Sequence, residues 1–148
     1  MSFETLRLRT NRRTINEIIV HCSATREGQN VSVEAIRKVH IKNRGFKDIG
    51  YHFVIMLDGE IKAGRCIDLA GAHCTNHNAK SIGVCYIGGV KQDGKTPKDT
   101  RTPAQKQALR ELLQALREEY PHARIHSHRD FAPKACPSFD ATQEYKDI

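Results

Sequence analysis

Asn16-Glu17-Ile18-Ile19-Val20-His21 is the stretch on which the fold turns. Three apolar residues rich in β-branching, bounded by polar ones, read as a short buried strand. The strand delivers His21 to its carboxyl end, and Cys22-Ser23-Ala24-Thr25 leads on into the polar loop Arg26-Glu27-Gly28-Gln29-Asn30. Binding groups collect at such strand ends in α/β sheets. Taken alone, His21 reads more simply as a hydrogen-bonded core histidine.

Outward from this strand the pattern alternates. Ser32 is placed to cap a helix with Glu34 in its first turn; Val33, Ile36 and Val39 recur at helical spacing, and Asn43-Arg44-Gly45 closes the end. Gly50-Tyr51-His52-Phe53-Val54-Ile55-Met56-Leu57 reads as a strand, Asp58-Gly59 as a hairpin turn and Glu60-Ile61-Lys62-Ala63 as the returning strand. Alternation assigns Tyr51, Phe53, Ile55 and Leu57 to one face and His52, Val54 and Met56 to the other. Tyr51 suits a rim position or a catalytic hydroxyl equally well. A polar loop with two histidines, residues 71–80, precedes Ser81-Ile82-Gly83-Val84-Cys85-Tyr86-Ile87, whose apolar run predicts a strand at the sheet centre.

Residues 91–101 are charged and read as an exposed excursion. The clearest helix opens at Thr102-Pro103-Ala104-Gln105, with a capping threonine, proline at the first helical position and glutamine placed for a capping box. Leu109, Leu112, Leu113, Leu116 and Tyr120 form its apolar stripe, and Pro121 stops it. A last short strand, Ala123-Arg124-Ile125-His126, follows. The expected fold is α/β: a single domain with a central mixed β-sheet flanked by helices. Residues 1–14 read as a mobile N-terminal arm and residues 15–148 as the domain.

At 148 residues the chain suits one domain with a real core. No run of about 18 apolar residues is present, so no membrane insertion is expected. The amino end lacks the apolar core of a secretory signal, so cytoplasmic residence in the producing cell is expected. Five cysteines without short paired spacing then read as free thiols rather than a disulfide framework. The net charge of +7 favours an anionic partner. Aromatic residues at 6% argue against a stacking platform for single-stranded nucleic acid.

The chemistry concentrates near the carboxyl end, in His126-Ser127-His128-Arg129-Asp130-Phe131-Ala132-Pro133-Lys134-Ala135-Cys136-Pro137. Imidazole and thiolate are favoured zinc ligands, and the two prolines should stiffen the loop. His128 and Cys136 need a third ligand from elsewhere, for which His21 is the best candidate. Two neutral imidazoles and one thiolate leave an open position, as a hydrolytic zinc site requires. No helical His-Glu-x-x-His motif and no paired Cys-x-x-Cys spacing occurs, which argues against a structural zinc knot. Lys134 is a candidate oxyanion donor or an ordinary surface lysine, and Tyr51 a candidate hydroxyl beside the reaction. Cys136 as a nucleophile stays open, while a serine triad through Ser127 or Ser138 is weaker because no nucleophile elbow is present.

Four segments together, Ile19-Val20-His21-Cys22-Ser23-Ala24-Thr25, Gly50-Tyr51-His52-Phe53, Ser81-Ile82-Gly83-Val84-Cys85 and Ala132-Pro133-Lys134-Ala135-Cys136-Pro137-Ser138-Phe139-Asp140, resemble the type 2 N-acetylmuramoyl-L-alanine amidases. That family includes the amidase-type lysozymes of T-odd bacteriophages, to which the likeness is closest, and the animal peptidoglycan recognition proteins. The likeness spans roughly residues 15–142. It implies one Zn2+ ion held by His21, His128 and Cys136, with Tyr51 and Lys134 as catalytic side chains. It implies hydrolysis of the amide between N-acetylmuramic acid and L-alanine in peptidoglycan, by a monomer acting as an endolysin on the cell wall after release. His73 and Asn78 fall where the family lines its substrate groove; the loop from Ala72 to Lys80 departs from the phage pattern, with Cys74 an extra thiol. His52, His77, His126 and Arg129 are expected beside the site or on the surface.

Two other readings follow from the same resemblance. One is a module that binds peptidoglycan without cutting it; members of that kind typically lack the cysteine ligand, and Cys136 is present here. The other is an additional partner, a phage RNA polymerase, for which the charged arm at residues 1–14 is the candidate surface.

Overall fold

The computed structural model of the chain describes residues 6–148. Its centre is a five-stranded mixed sheet in the order β4-β3-β5-β1-β7. Here β1 is Glu17–Cys22, β3 is Phe53–Ile55, β4 is Ile61–Ala63, β5 is Ser81–Tyr86 and β7 is Arg124–Ser127. Strand β1 runs parallel to both β5 and β7, and β3 parallel to β5. Only β4 is antiparallel, as the return of the Asp58-Gly59 hairpin. Two short parallel strands, β2 (Thr25–Arg26) and β6 (Gly89–Val90), form a separate ribbon.

The central strands β1 and β5 are apolar on both faces because both faces are covered. On one side Ile18, Val20, Ile82, Val84, Phe53 and Ile55 pack against α2 (Pro103–Glu119) through Leu109, Leu112, Leu113 and Leu116, all four without solvent exposure. The Thr102 cap and the capping box with Gln105 form as the sequence predicts. On the other side α1 (Val33–Arg44) lays Val33 and Ile36 on Val54, Met56 and Ile87. Gly45 closes α1 at φ 69°, a left-handed position that glycine adopts freely. A short helix α3 (Ala141–Glu144) packs beside β7.

Four expectations are corrected. Val39 does not lie on the inner stripe of α1 but is 49% exposed; the buried stripe runs Val33, Ile36, His40, the i, i+3, i+7 positions of one helix face. The polar His40 is accommodated there because its Nδ1 accepts the Gly50 N–H at 2.9 Å. Regular β3 starts only at Phe53, and the alternation fails before and after it. Tyr51 and Leu57 pack with Val54 and Met56, not with Phe53 and Ile55, so Tyr51 faces the same side of the sheet as His21.

The excursion at 91–101 is exposed only to Asp99. Arg101 is buried, with its guanidinium 3.4 Å above the Phe139 ring centroid and paired with Asp99 at 2.8 Å and Glu144 at 2.7 Å. Arg101→Met is expected to lower unfolding free energy by about 2 kcal/mol, since hydrogen bonds to charged groups contribute about 1.5–3 kcal/mol and both carboxylates keep some water. Urea denaturation of the two proteins measures it.

Residues 1–5 lie outside the described residues. Residues 6–14, expected to be mobile, are tied to the body. Leu6 and Leu8 pack on the main core, and the Tyr120 hydroxyl donates to the Leu8 carbonyl while accepting the Thr10 N–H at 2.9 Å. Arg13 donates to the Ile67 carbonyl at 2.9 Å and to the Ser81 carbonyl at 2.9 Å. The Asn78 and Ala79 carbonyls also meet its guanidinium, each at 3.3 Å, so the arm fastens the loop before β5.

Candidate functional site: a histidine–cysteine cluster in a cleft

The parallel register puts the carboxyl ends of β1 and β7 side by side, with Val20 opposite Ser127, so His21 and His128 emerge as neighbours. Their ring centroids are 4.5 Å apart. His128 opens a single 3-10 turn, His128–Asp130, and the chain then loops back to bring in Cys136. That loop is fastened at both ends. The Arg129 N–H donates to the Cys136 carbonyl at 2.9 Å, and the Tyr86 hydroxyl donates to the Pro137 carbonyl at 2.6 Å. The Ser138 hydroxyl adds a bond to the Gly89 carbonyl at 2.8 Å.

One ligand atom each of His21, His128 and Cys136 lies within 4.8 Å of the others, the only such trio of potential metal ligands among the described residues. The His21 Nδ1 faces the Cys136 Sγ at 3.9 Å, and the Sγ accepts the Cys22 N–H at 3.2 Å. The His128 Nδ1 is buried and has no hydrogen-bond partner. An orphaned buried nitrogen costs free energy unless something else satisfies it, and the His128 ring stands beside an imidazole and a thiol with which it fits a divalent ion of intermediate softness. Burial pushes the His21 imidazole well below the usual histidine range, and the neighbouring His73, His128 and Lys134 push it further. The ring is therefore neutral at physiological pH, the form that donates a lone pair.

His73 was expected to line a groove, and it does line the cleft, but both its nitrogens are engaged. Its Nδ1 meets the His21 Nε2 at 2.8 Å and its Nε2 meets the Ser81 hydroxyl at 3.2 Å. This fixes which edge His21 turns toward Cys136. The His73 ring lies over Gly83, where a Cβ would come within 2.7 Å of it. Asn78 also borders the cleft, and its Oδ1 accepts the His73 and Cys74 N–H groups at 2.9 and 3.0 Å, which shapes the loop. Sequence reasoning missed the His73–His21 bond; glycine at 83 was its one visible trace.

The cleft around the cluster measures about 350 Å³, with Tyr51, His40, Arg44, Phe131 and Lys134 on its walls. The Tyr51 ring centroid is 5.1 Å from that of His21 and 5.4 Å from that of His40. Burial raises the Tyr51 hydroxyl well above the usual tyrosine range, so it keeps its proton. Lys134 is exposed at the rim, and its charge lowers His21 and His128. His52 is buried under the cleft, its Nδ1 accepting the Gly83 N–H at 3.0 Å; His77 and His126 line a separate hollow, and Arg129 touches the cluster only through its backbone N–H to Cys136, its side chain being exposed. The serine alternatives close: Ser127 Oγ is buried and accepts the Ala141 N–H at 2.8 Å, and Ser138 Oγ is bonded to Gly89.

Comparison with known proteins agrees with the geometry. Residues 11–139 match the family described as N-acetylmuramoyl-L-alanine amidase. The endolysin of Klebsiella phage KP32 is 48% identical over 131 residues, covering 88% of this chain and 85% of that protein. The endolysin of Escherichia phage T7 is 48% identical over 129 residues, covering 87% and 84%. Among solved structures, the N-acetylmuramoyl-L-alanine amidase LysC from Clostridium intestinale superposes with a TM-score of 0.75 at 29% identity, over 89% of this chain and 82% of that one. The mixed sheet, the cleft at the ends of β1 and β7, and these likenesses place the chain in the N-acetylmuramoyl-L-alanine amidase family.

Proposed function

We propose that the chain is a zinc-dependent peptidoglycan amidase, with one Zn2+ held by His21, His128 and Cys136 and with Tyr51 and Lys134 as its catalytic side chains. The bond cut joins the N-acetylmuramic acid lactyl group to the L-alanine of the stem peptide. The observation that carries the reading is the trio of ligand atoms of His21, His128 and Cys136, with His128 Nδ1 unpartnered, in a cleft of an amidase-family chain. When bound, zinc supplies a Lewis acid that polarises the scissile carbonyl and acidifies water.

The chain's own residues supply the rest. Tyr51, protonated across the neutral range, donates a hydrogen bond where negative charge develops on the carbonyl oxygen. Lys134 presents its side chain at the same rim, exposed to solvent. His73 holds the His21 ring in one orientation through the 2.8 Å bond. Lining by His73 and Asn78 contributes to the substrate groove in this reading. No helix among the described residues is long and apolar enough to cross a membrane. Action on the wall as a monomer after release from the producing cell belongs to the same proposal.

Metal analysis of the purified chain tests the ligand set. One zinc per chain with two nitrogen and one sulfur protein ligands by X-ray absorption is the expected result; zinc bound without sulfur would remove Cys136 from it. Gly83→Ala supplies a second check. Its Cβ displaces the His73 ring, so zinc affinity is expected to fall about tenfold, at the lower end of what loss of an orienting partner costs. Competition with a fluorescent chelator measures the change.

A further inference from the structure

The metal cleft occupies only one end of its sheet face. Glu17, Ile19 and His21 alternate onto that face of β1, and Arg124 and His126 of β7 are registered against Glu17 and Ile19. At the amino ends of these strands, roughly 13 Å from His21 along β1, lies a second hollow of about 590 Å³. Glu17, Lys80, His122 and Arg124 line it together with His77 and His126. A stacked pair separates the two concavities. The His77 ring lies 3.9 Å from Phe131 at an interplanar angle of 26°, and Phe131 in turn walls the metal cleft.

The charges of this hollow are unbalanced. Its one carboxylate, Glu17, is already engaged by His77 Nδ1 at 2.9 Å, and His126 on its lining meets Asp130, outside the hollow, at 3.2 Å. Lys80 and Arg124 are exposed and have no ion pair among the described residues. They flank β1 on its two sides: Arg124 lies on β7 opposite Glu17, and the Lys80 carbonyl, just before β5, accepts the Asn16 N–H at 2.8 Å. Two strand spacings put their backbones about 10 Å apart. That separation suits a chain carrying several anions better than a single small ion.

We infer that this hollow is a second binding subsite, in which Lys80 and Arg124 hold the carboxylates of a peptidoglycan stem peptide next to the site of cutting. The inference rests on the peptidoglycan reading above. The subsite would act on wall binding rather than on chemistry, because neither cation reaches the cleft lining.

The test uses the full chain and the variant K80E/R124E, with K80Q/R124Q as the milder pair and thermal melting to confirm folding. Sedimentation with intact peptidoglycan sacculi measures binding, and release of new amino termini measures turnover. A pull-down on sacculi whose carboxyl groups are capped as amides is the decisive arm. The expected result is about tenfold weaker binding and higher KM for K80E/R124E on native sacculi, with kcat unchanged, and equal binding of wild type and variant on capped sacculi. Unchanged binding to native sacculi overturns the subsite. A penalty that persists on capped sacculi also overturns it, pointing to another wall anion. Wild-type chain that sediments with sacculi yet releases no amino termini would fail the amidase reading and leave the subsite standing.

Discussion

Cys136→Ala is expected to abolish turnover and to weaken zinc binding by at least a thousandfold. The bond with Cys22 and burial push the Cys136 thiol well above the usual range, so it becomes the one anionic donor of the trio only when a metal displaces its proton, and the Cys22 N–H bonded to it at 3.2 Å suits the resulting thiolate. Losing one of three ligands removes about 4 kcal/mol if the roughly 12 kcal/mol typical of a tight zinc site is shared evenly. The loop itself should survive, because the bonds of the Tyr86 hydroxyl to Pro137 and of Ser138 to Gly89 do not involve the thiol. Zinc titration and a melting curve separate the two effects. Cys66→Ala, which removes an exposed thiol, is the control and should change neither. Full activity in Cys136→Ala would end both the ligand role and the alternative of a cysteine nucleophile.

Tyr51→Phe should lower kcat about a hundredfold or more while zinc content stays at one per chain. Preorganised donors aimed at a developing oxyanion contribute about 10²–10³ in kcat each. Phenylalanine keeps the ring packing against His21 and His40, 5.1 and 5.4 Å away, and deletes only the hydroxyl that burial keeps protonated. Lys134→Ala is expected to cost a similar factor, and Lys134→Arg to restore part of it by returning the charge with a different geometry. Loss of zinc along with turnover in either variant would make the role structural. The salt dependence separates catalysis from charge attraction: a catalytic Lys134 leaves the same deficit at low and high salt, whereas a purely attractive one loses its effect as salt rises.

Much of this architecture was legible in the sequence because period and punctuation agree locally. Ile18-Ile19-Val20 could only be a covered strand, and Thr102-Pro103 with Gln105 spelled out the start of α2. The same reading named His21, His128 and Cys136, which the parallel pairing of β1 with β7 brings within 4.8 Å. What escaped it depends on tertiary contacts. His40 rather than Val39 faces inward because a backbone amide at Gly50 satisfies it, and no periodicity scale anticipates that bond. Tyr51 reaches the cleft because the strand loses its alternation just before Phe53. Arg101 is buried by Asp99, Glu144 and Phe139, two of them about 40 residues downstream. His73 looked like a groove residue, and its bond to His21 spans 52 positions of sequence.

The most direct test of the central claim is digestion of purified peptidoglycan by the full chain, with and without a zinc chelator, scoring new L-alanine amino termini against new reducing sugar ends. Amino termini that vanish with chelator and return when zinc is restored, with no gain in reducing ends, are the expected result. New reducing ends in place of amino termini, or amino termini indifferent to the chelator, would contradict it.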